Sequence, residues 1–163
     1  MKLHSKALIV AVALLLAACN NPGRFGGAGA NSGLGGDASD PTTVAYFQQT
    51  VGDRVLFEVD QHVLTAKAQT VLNEQATWLM NNPEFTAIIE GHADEQGTQA
   101  YNLALSGRRA NSVIEYLVSR GVAANRLQSL PLGKERPIAI CSEESCYAQN
   151  RRAVSIVAAG GLG

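Results

Sequence analysis

The sequence predicts an α/β fold, a two-layer sandwich of order βαβαββ with helices packed on one face of a four-stranded mixed sheet. Apolar residues recur at helical spacing in two segments, 66–80 and 99–120. Short β-prone runs lie before, between and after these segments. The final two runs follow each other without a helical pattern between them, so the last strand is expected to return beside the others.

The first strand is predicted at 54–59, where Arg-Val-Leu-Phe-Glu-Val is β-prone and is followed by Asp60. Thr65 is a suitable N-cap for the first helix, which extends to Met80 and is stopped by Asn-Asn-Pro at 81–83. One face of this helix is apolar and should point inward; it carries Ala68, Val71, Leu72, Ala76 and Leu79.

The second strand is predicted at 85–90 and the second helix at 99–120, with Gly121 as its left-handed C-cap. The third and fourth strands are predicted at 126–130 and 152–157. The inward face of the second helix is expected to carry Leu105, Ala110, Val113, Ile114 and Leu117.

The amino-terminal residues have the features of an export signal. Lys2 and Lys6 are followed by an apolar run at 7–18, which is shorter than the roughly 20 residues that a membrane-spanning helix needs. The run ends in Leu-Ala-Ala-Cys, with the cysteine at Cys19. This box resembles the bacterial lipoprotein signal, in which the cysteine is lipidated and becomes the first residue. The alternative is a plain signal peptide with a chance cysteine.

The composition divides the chain into a signal peptide (1–18), a lipidated N-terminus with a flexible Gly-rich linker (19–43) and one globular domain (44–163). The formal net charge is −1, and removal of the signal would remove two lysines. Because a polyanion-binding protein needs a basic surface, this balance argues against nucleic acid as a partner.

Cys141 and Cys146 are expected to form a disulfide, since export would place them in an oxidising compartment. A metal pair or a redox couple is the alternative. The spacing is not C-x-x-C and no histidine lies nearby, so the structural disulfide is favoured.

The loop 91–98, Gly-His-Ala-Asp-Glu-Gln-Gly-Thr, follows a predicted strand at its carboxyl end, where ligands bind in α/β folds. On the next helix Leu105 and Arg109 share a face. Asp94 in the loop can approach that face. A carboxylate and a guanidinium held close together would bind an ammonium and a carboxylate of one zwitterionic ligand. The alternative is an internal Asp–Arg salt bridge without a ligand.

Other residues have simpler interpretations. His92 is expected to be structural, because neither a nucleophile nor a second ligand at metal spacing accompanies it. Asn-Arg-Arg at 150–152 is either a basic contact patch or a strand start with an internal salt bridge. Glu143 and Glu144 are expected in a solvated loop, and Trp78 is expected in the core.

Four motifs occur in a fixed order: G-H-A-D-E-x-G-T at 91–98, Y-N-x-x-L-S-x-R-R-A at 101–110, G-K-E-R-P at 133–137 and Q-N-R-R-A-V at 149–154. This order resembles the OmpA-like peptidoglycan-binding domain family, over about residues 53–158. The resemblance implies that Asp94 and Arg109 grip the diaminopimelate of the peptidoglycan stem. It also implies that the same pocket is shaped by Asp60, Thr98, Asn102 and Leu105.

The resemblance further implies a function. The chain is expected to be an outer-membrane lipoprotein whose periplasmic domain binds peptidoglycan non-covalently and tethers the membrane to the cell wall. TolB and other Tol components are the implied protein partners, with a role in envelope integrity and in constriction at division. We expect no catalytic residue, no metal and no cofactor. The alternatives are an OmpA-like lipoprotein without Tol partners, a wall-acting enzyme such as an amidase, and a redox protein that uses the cysteine pair.

Overall fold

The computed structural model of the protein describes residues 36–160. The predicted export signal, Cys19 and the linker up to residue 35 therefore lie outside the described residues. In chain order the elements are α1 (Val44–Tyr46, continued by a π-helical segment, Phe47–Gly52), β1 (Arg54–Leu56), α2 (Ala66–Asn81), β2 (Phe85–Gly91), α3 (Gln99–Ser119), a 3₁₀ turn (Ala124–Arg126), β3 (Leu127–Pro131), α4 (Glu144–Asn150) and β4 (Arg152–Ala159).

The four strands form one mixed sheet in the order β1-β4-β2-β3. Strand β4 is antiparallel to both of its neighbours, with Val154 opposite Arg54 on one side and Glu90 on the other. Strands β2 and β3 are parallel, as expected for two strands joined through a helix. Helices α2 and α3 pack against the sheet, so the predicted α/β sandwich with a mixed four-stranded sheet is confirmed.

Helix α2 begins where the sequence predicts. The Thr65 side chain accepts a hydrogen bond of 3.1 Å from the backbone N–H of Ala68, which satisfies one of the unpaired donors of the first turn. The face predicted to point inward is buried at Leu72, Ala76 and Leu79. Burial of this apolar stripe stabilises the helix against the sheet.

Aromatic side chains fill the end of the core nearest α1. Trp78 lies between Phe47 and Phe85, with ring centroids 4.8 and 4.9 Å from its own and tilted planes. Its indole N–H donates a 2.7 Å bond to the carbonyl of Pro41, so the segment before α1 contacts the domain. The prediction that Trp78 is a core residue is confirmed.

Helix α3 lies unusually close to β2, and a glycine makes this possible. A Cβ on Gly91 would stand 1.9 Å from the carbonyl oxygen of Ser106 on α3, which is far inside any allowed contact. The helix ends before Gly121, whose φ of +102° confirms the predicted left-handed cap. The close contact brings the start of α3 beside the loop that follows β2.

The first strand is shorter than the sequence predicts. Pairing with β4 ends at Leu56, whereas the prediction ran to residue 59. The backbone N–H of Phe57 still bonds to the Arg151 carbonyl, but Gln61 then bonds back to the Glu58 carbonyl in a turn. A β-prone run therefore leaves the sheet early because a local turn and a long-range contact, described below, fix its second half.

Two helical segments are absent from the sequence prediction. The α1 segment is rich in β-branched and aromatic residues, and the seven-residue α4 lacks an apolar repeat, so neither has a helical signature. The solvated loop predicted at Glu143 and Glu144 is wrong for Glu144, which begins α4 and pairs with Arg151.

The predicted disulfide between Cys141 and Cys146 is present and closes the turn into α4, with Cα atoms 5.8 Å apart. Among residues 36–160, no helix combines the length and apolar character needed to cross a membrane.

Candidate functional site

A pocket of about 220 Å³ opens where the loop after β1, the loop after β2 and the first turns of α3 meet. Its position at the carboxyl end of β2 is where the sequence predicts a ligand site. The residues that line it are Val59, Asp60, Asp94, Gln96, Gly97, Tyr101, Asn102 and Leu105. Two carboxylates and several hydrogen-bonding groups thus share one small concavity with a single buried leucine.

Asp94 forms one wall of the pocket and is only 8% exposed. One carboxylate oxygen accepts a 3.2 Å bond from the backbone N–H of Gln96, which closes the loop on itself. The other oxygen accepts a 3.2 Å bond from the Arg151 guanidinium. Two protein donors therefore hold the Asp94 carboxylate in place where it lines the cavity.

Arg109 lies beneath the pocket and has no exposed surface. Its three nitrogens donate to backbone carbonyls: Nε to Gln61 at 2.8 Å, Nη1 to His92 at 2.8 Å and Nη2 to Glu58 at 3.3 Å. Phe57 lies under the guanidinium, with its ring centroid 5.2 Å away. Arg109 thus fastens the loop after β1 to the loop after β2.

Burial lowers the pKa of Arg109 to about 10; Arg151 adds to the lowering, whereas Asp94 and Asp60 oppose it. The guanidinium remains charged at neutral pH. Within residues 36–160, the ion pair of Asp94 is made with Arg151 and not with Arg109. The sequence-predicted pair therefore shares one site, but its members are not bonded directly to each other.

Asp60 and Tyr101 face each other across the mouth of the pocket. The Tyr101 hydroxyl donates a hydrogen bond to an Asp60 carboxylate oxygen. This bond raises the pKa of Tyr101 above its ordinary value. Asp60 itself adopts a left-handed backbone conformation, with φ of +57°, which is uncommon for a residue other than glycine. Of this pair the sequence predicts only Asp60.

The remaining predicted residues hold the loop in shape. Asn102 is buried and donates from its amide nitrogen to the carbonyls of Gln96 at 2.8 Å and Asp94 at 3.3 Å. Thr98 caps α3, accepting from the backbone N–H of Tyr101, and does not line the cavity. Leu105 lines the cavity. Four of the six predicted site residues thus line the pocket, namely Asp60, Asp94, Asn102 and Leu105, whereas Thr98 and Arg109 do not.

Five contributors have no counterpart in the predicted site. Four of them line the pocket, namely Val59, Gln96, Gly97 and Tyr101, and the fifth, Arg151, holds the Asp94 carboxylate. Tyr101 lies four residues before Leu105 and so shares its helical face, which is a usable signal. Arg151 is 3% exposed and internally paired, which confirms the internal salt bridge, rather than the contact patch, for Asn-Arg-Arg.

His92 is buried directly behind this site. It is 1% exposed, and neither ring nitrogen has a hydrogen-bond partner within the described residues; Nε2 lies 3.5 Å from a carboxylate oxygen of Glu90. Burial lowers the pKa of His92 from 6.5 to about 4, and the charges of Arg152 and Arg136 add to the effect. Residues 36–160 contain no cluster of three or more potential metal ligands.

This shift predicts an acid-dependent loss of stability. Between pH 6.5 and 4 the unfolded chain binds a proton at residue 92 that the folded chain does not, so stability falls as pH falls through this window and levels off below pH 4. At about 1.4 kcal/mol per pKa unit, up to about 3 kcal/mol is lost.

Urea unfolding of the wild type and His92→Gln at several pH values measures the loss. The pH dependence between 6.5 and 4 should be shallower in His92→Gln, while His62→Gln, at an exposed position, should keep the wild-type slope. An equal pH dependence of the free energy of unfolding in the wild type and His92→Gln would show that the pKa of His92 is not lowered by folding.

Comparisons with known proteins identify relatives of this chain. The OmpA family model matches residues 56–151. A peptidoglycan-associated lipoprotein of Rhizobium meliloti is 44% identical over 96% of this chain and 88% of its own length. One from Mesorhizobium japonicum is 43% identical over 97% of this chain and 95% of its own length.

Solved structures show the same fold. The crystal structure of the peptidoglycan-associated lipoprotein from Burkholderia pseudomallei superposes with a TM-score of 0.68 at 33% identity, over 73% of this chain and all of that one. The C-terminal domain of Helicobacter pylori MotB, at 19% identity and a TM-score of 0.61, covers 65% of this chain and 84% of its own and shares the fold alone.

The chain belongs to the OmpA family, and within that family to the peptidoglycan-associated lipoproteins. This family is structural and non-enzymatic, which confirms the expectation that the chain is not an enzyme.

Proposed function

We propose that the pocket binds the peptide stem of peptidoglycan through the diaminopimelate side group, which ends in both an ammonium and a carboxylate. The observation that carries this proposal is the placement of opposite charges at one pocket: the Asp94 carboxylate lines it and the Arg109 guanidinium lies beneath it. Asp94 receives the ligand ammonium, and Arg109 supplies the positive potential for the carboxylate.

The other site residues support this ligand by different means. Asp60 adds a second carboxylate at the mouth, where it also attracts the ammonium. Leu105 offers an apolar surface to the methylene chain between the two charged ends. Asn102 and Thr98 fix the loop and the start of α3, so the Asp94 carboxylate is pre-organised and less conformational entropy is lost on binding.

Direct contact between the ligand carboxylate and Arg109 requires a movement of the loop after β1. Each terminal nitrogen of Arg109 retains one N–H beyond its recorded bond, but the side chain has no exposed surface. The 3.3 Å bond to the Glu58 carbonyl is the longest of the three and the one that a carboxylate would replace at the smallest cost. The Tyr101–Asp60 bond across the mouth must open in the same step.

At the level of the whole protein we propose an outer-membrane lipoprotein of the Tol–Pal system, anchored by lipid on Cys19 with its domain in the periplasm. The Gly-rich linker 19–43 would tether the domain. Because the Pro41 carbonyl accepts a bond from Trp78 and the Thr43 hydroxyl donates to the Asp37 carbonyl, only the stretch 19–36 is left to extend, over roughly 60 Å. Because tethering raises the effective concentration of the domain at the wall, modest affinity suffices for attachment. Binding of TolB and other Tol components, and a role in constriction at division, complete the proposal.

The central test is sedimentation of the purified domain with peptidoglycan sacculi. Asp94→Asn keeps the shape of the side chain and removes its charge, so binding should weaken by about 2–3 kcal/mol, or roughly 30- to 150-fold. Glu74→Gln, at an exposed position on α2, is the matched control and should bind as the wild type does. Equal sedimentation of wild type and Asp94→Asn would contradict the proposed clamp.

Soluble muropeptides define the ligand more closely. A stem with diaminopimelate should compete for the site, whereas a stem with lysine, which lacks the second carboxylate, should compete poorly. Release of soluble fragments from sacculi would instead indicate a wall-acting enzyme.

Titration with purified TolB tests the Tol partnership, and absence of binding would favour an OmpA-like lipoprotein without Tol partners. Mass spectrometry of the mature protein tests lipidation at Cys19.

A further inference from the structure

The disulfide lies beside the pocket and is joined to it by two separate contacts. We call residues 141–146 the cystine loop. In the first contact, Ser142 and Tyr147 donate from their hydroxyls to the same carboxylate oxygen of Glu95, at 3.2 and 3.0 Å. Glu95 follows Asp94 directly in the chain. The cystine loop and the first turns of α4 therefore hold the ligand loop from outside.

The second contact runs through Arg151. Its guanidinium donates to Asp94 at 3.2 Å and also makes two bonds to the Glu144 carboxylate, one from each terminal nitrogen. Its Nε donates to the Phe57 carbonyl at 3.2 Å. The hydrogen bonds from Arg151 lower the pKa of Glu144, which therefore stays ionised. A buried cation is thus shared between the pocket carboxylate and a carboxylate of the cystine loop.

The position of Arg151 between Asp94 and Glu144 affects how strongly the pocket attracts a cationic ligand group. Asp94, Glu144 and the single positive charge of Arg151 together carry a net charge of −1, which favours an ammonium in the pocket. Without Glu144 the pair of Asp94 and Arg151 is neutral, and the guanidinium competes with the ligand for the Asp94 oxygens. Glu144 therefore keeps Asp94 available.

Glu144 lies between the two cysteines. The disulfide joins positions five residues apart and holds the turn into α4, because Cys146 belongs to the first turn of that helix. A seven-residue helix is too short to be stable alone, so this covalent bond fixes where Glu144, Ser142 and Tyr147 stand. The placement of Glu144 thus depends on the Cys141–Cys146 bond.

We propose that Glu144, Arg151 and the Cys141–Cys146 disulfide are positioning elements of the peptidoglycan pocket, and that wall binding is strongest when the disulfide is formed. The inference rests on the proposed function of the pocket and names a regulation of that same site. A dithiol reductant would break the S–S bond, donate two electrons and two protons to give two cysteine thiols, and itself become a cyclic disulfide. The ligand loop would then lose part of its outer support.

The experiment measures affinity for a soluble diaminopimelate-containing muropeptide by calorimetry, with thermal unfolding recorded for every variant. Glu144→Gln should weaken binding about three- to fivefold, because the exposed carboxylate contributes only modestly. Replacing both cysteines by serine should weaken it about tenfold, and dithiothreitol should have the same effect on the wild type. Glu143→Gln, at an exposed position beside Glu144, is the matched control and should bind as the wild type does.

A double-mutant cycle distinguishes positioning from general stability. If the disulfide acts through Glu144, the combined variant should lose no more than about tenfold, well short of the product of the two separate losses. Additive losses, or unchanged binding in Glu144→Gln and in the serine variant, would overturn the inference. Failure of the oxidised wild type to bind the muropeptide would instead overturn the proposed function itself.

Discussion

Replacement of Arg109 by methionine is expected to lower the free energy of unfolding by about 3–5 kcal/mol and to abolish sacculus binding. The guanidinium makes three charge-assisted bonds to backbone carbonyls in the protein interior, and methionine fills part of the volume without replacing any donor. The Glu58–Gln61 turn would lose its attachment to the loop after β2. The pocket would lose its positive charge in the same step.

Urea unfolding and sacculus sedimentation measure the two effects separately. Arg108→Met is the matched control, because the neighbouring arginine is exposed on the same helix and should tolerate the change in both assays. Arg109→Lys should recover little, since an ammonium cannot reproduce the forked geometry of three separate donors. A stable, wall-binding Arg109→Met protein would show that Arg109 is needed neither to hold the two loops together nor to bind the ligand.

Replacement of Gly91 by alanine is expected to destabilise the domain by more than about 4 kcal/mol, in the range reached by few single substitutions. The added Cβ would stand 1.9 Å from the Ser106 carbonyl oxygen and 3.3 Å from the Ala110 Cβ. The nearest atom belongs to backbone, so no side-chain rotation relieves the overlap and α3 must move away from β2. Asp94 lies in the loop that follows β2 and Arg109 lies on α3, so the two side chains would move apart.

Thermal unfolding of Gly91→Ala against Gly107→Ala tests this expectation. Gly107 lies on α3, and a Cβ there would meet only the Pro131 side chain at an ordinary 3.7 Å. Because alanine favours a helix more than glycine does, Gly107→Ala should be neutral or slightly stabilising. Similar melting temperatures for the two variants would mean that the helix and strand are not in such close contact.

The sequence predicts those parts of the fold that repeat at a regular period or carry a local signal. Helices α2 and α3 have long apolar stripes, with Thr65 as the predicted N-cap of α2 and Gly121 as the predicted cap of α3, and the strands β2 and β4 are β-prone runs. The end of β1 could not be predicted, because Arg109, some fifty residues away, fixes the backbone of Glu58 and Gln61. A long-range hydrogen bond leaves no mark in the local pattern.

In the candidate site, too, local patterns are predictable from the sequence and long-range contacts are not. Asp94 and Leu105 are found from their loop and helical spacing, Asn102 is implied by the family resemblance, and all three line one pocket. Which arginine bonds directly to Asp94 is decided by tertiary contacts, and this partner is Arg151 rather than Arg109. A sequence pattern alone does not show which of two arginines will contact a given carboxylate. Only their place in the folded domain, Arg151 directly before β4 and Arg109 on α3, separates their roles.

The central position of β4 has a consequence for biogenesis. This strand follows every other element in the chain, yet it lies between β1 and β2 and supplies the hydrogen bonds that join them. Synthesis must therefore pass residue 159 before the sheet can close, and pairings between such distant segments form slowly. A nascent polypeptide of this topology cannot complete its sheet until β4 has been synthesised, so the native pairing of β1 and β2 with β4 forms late.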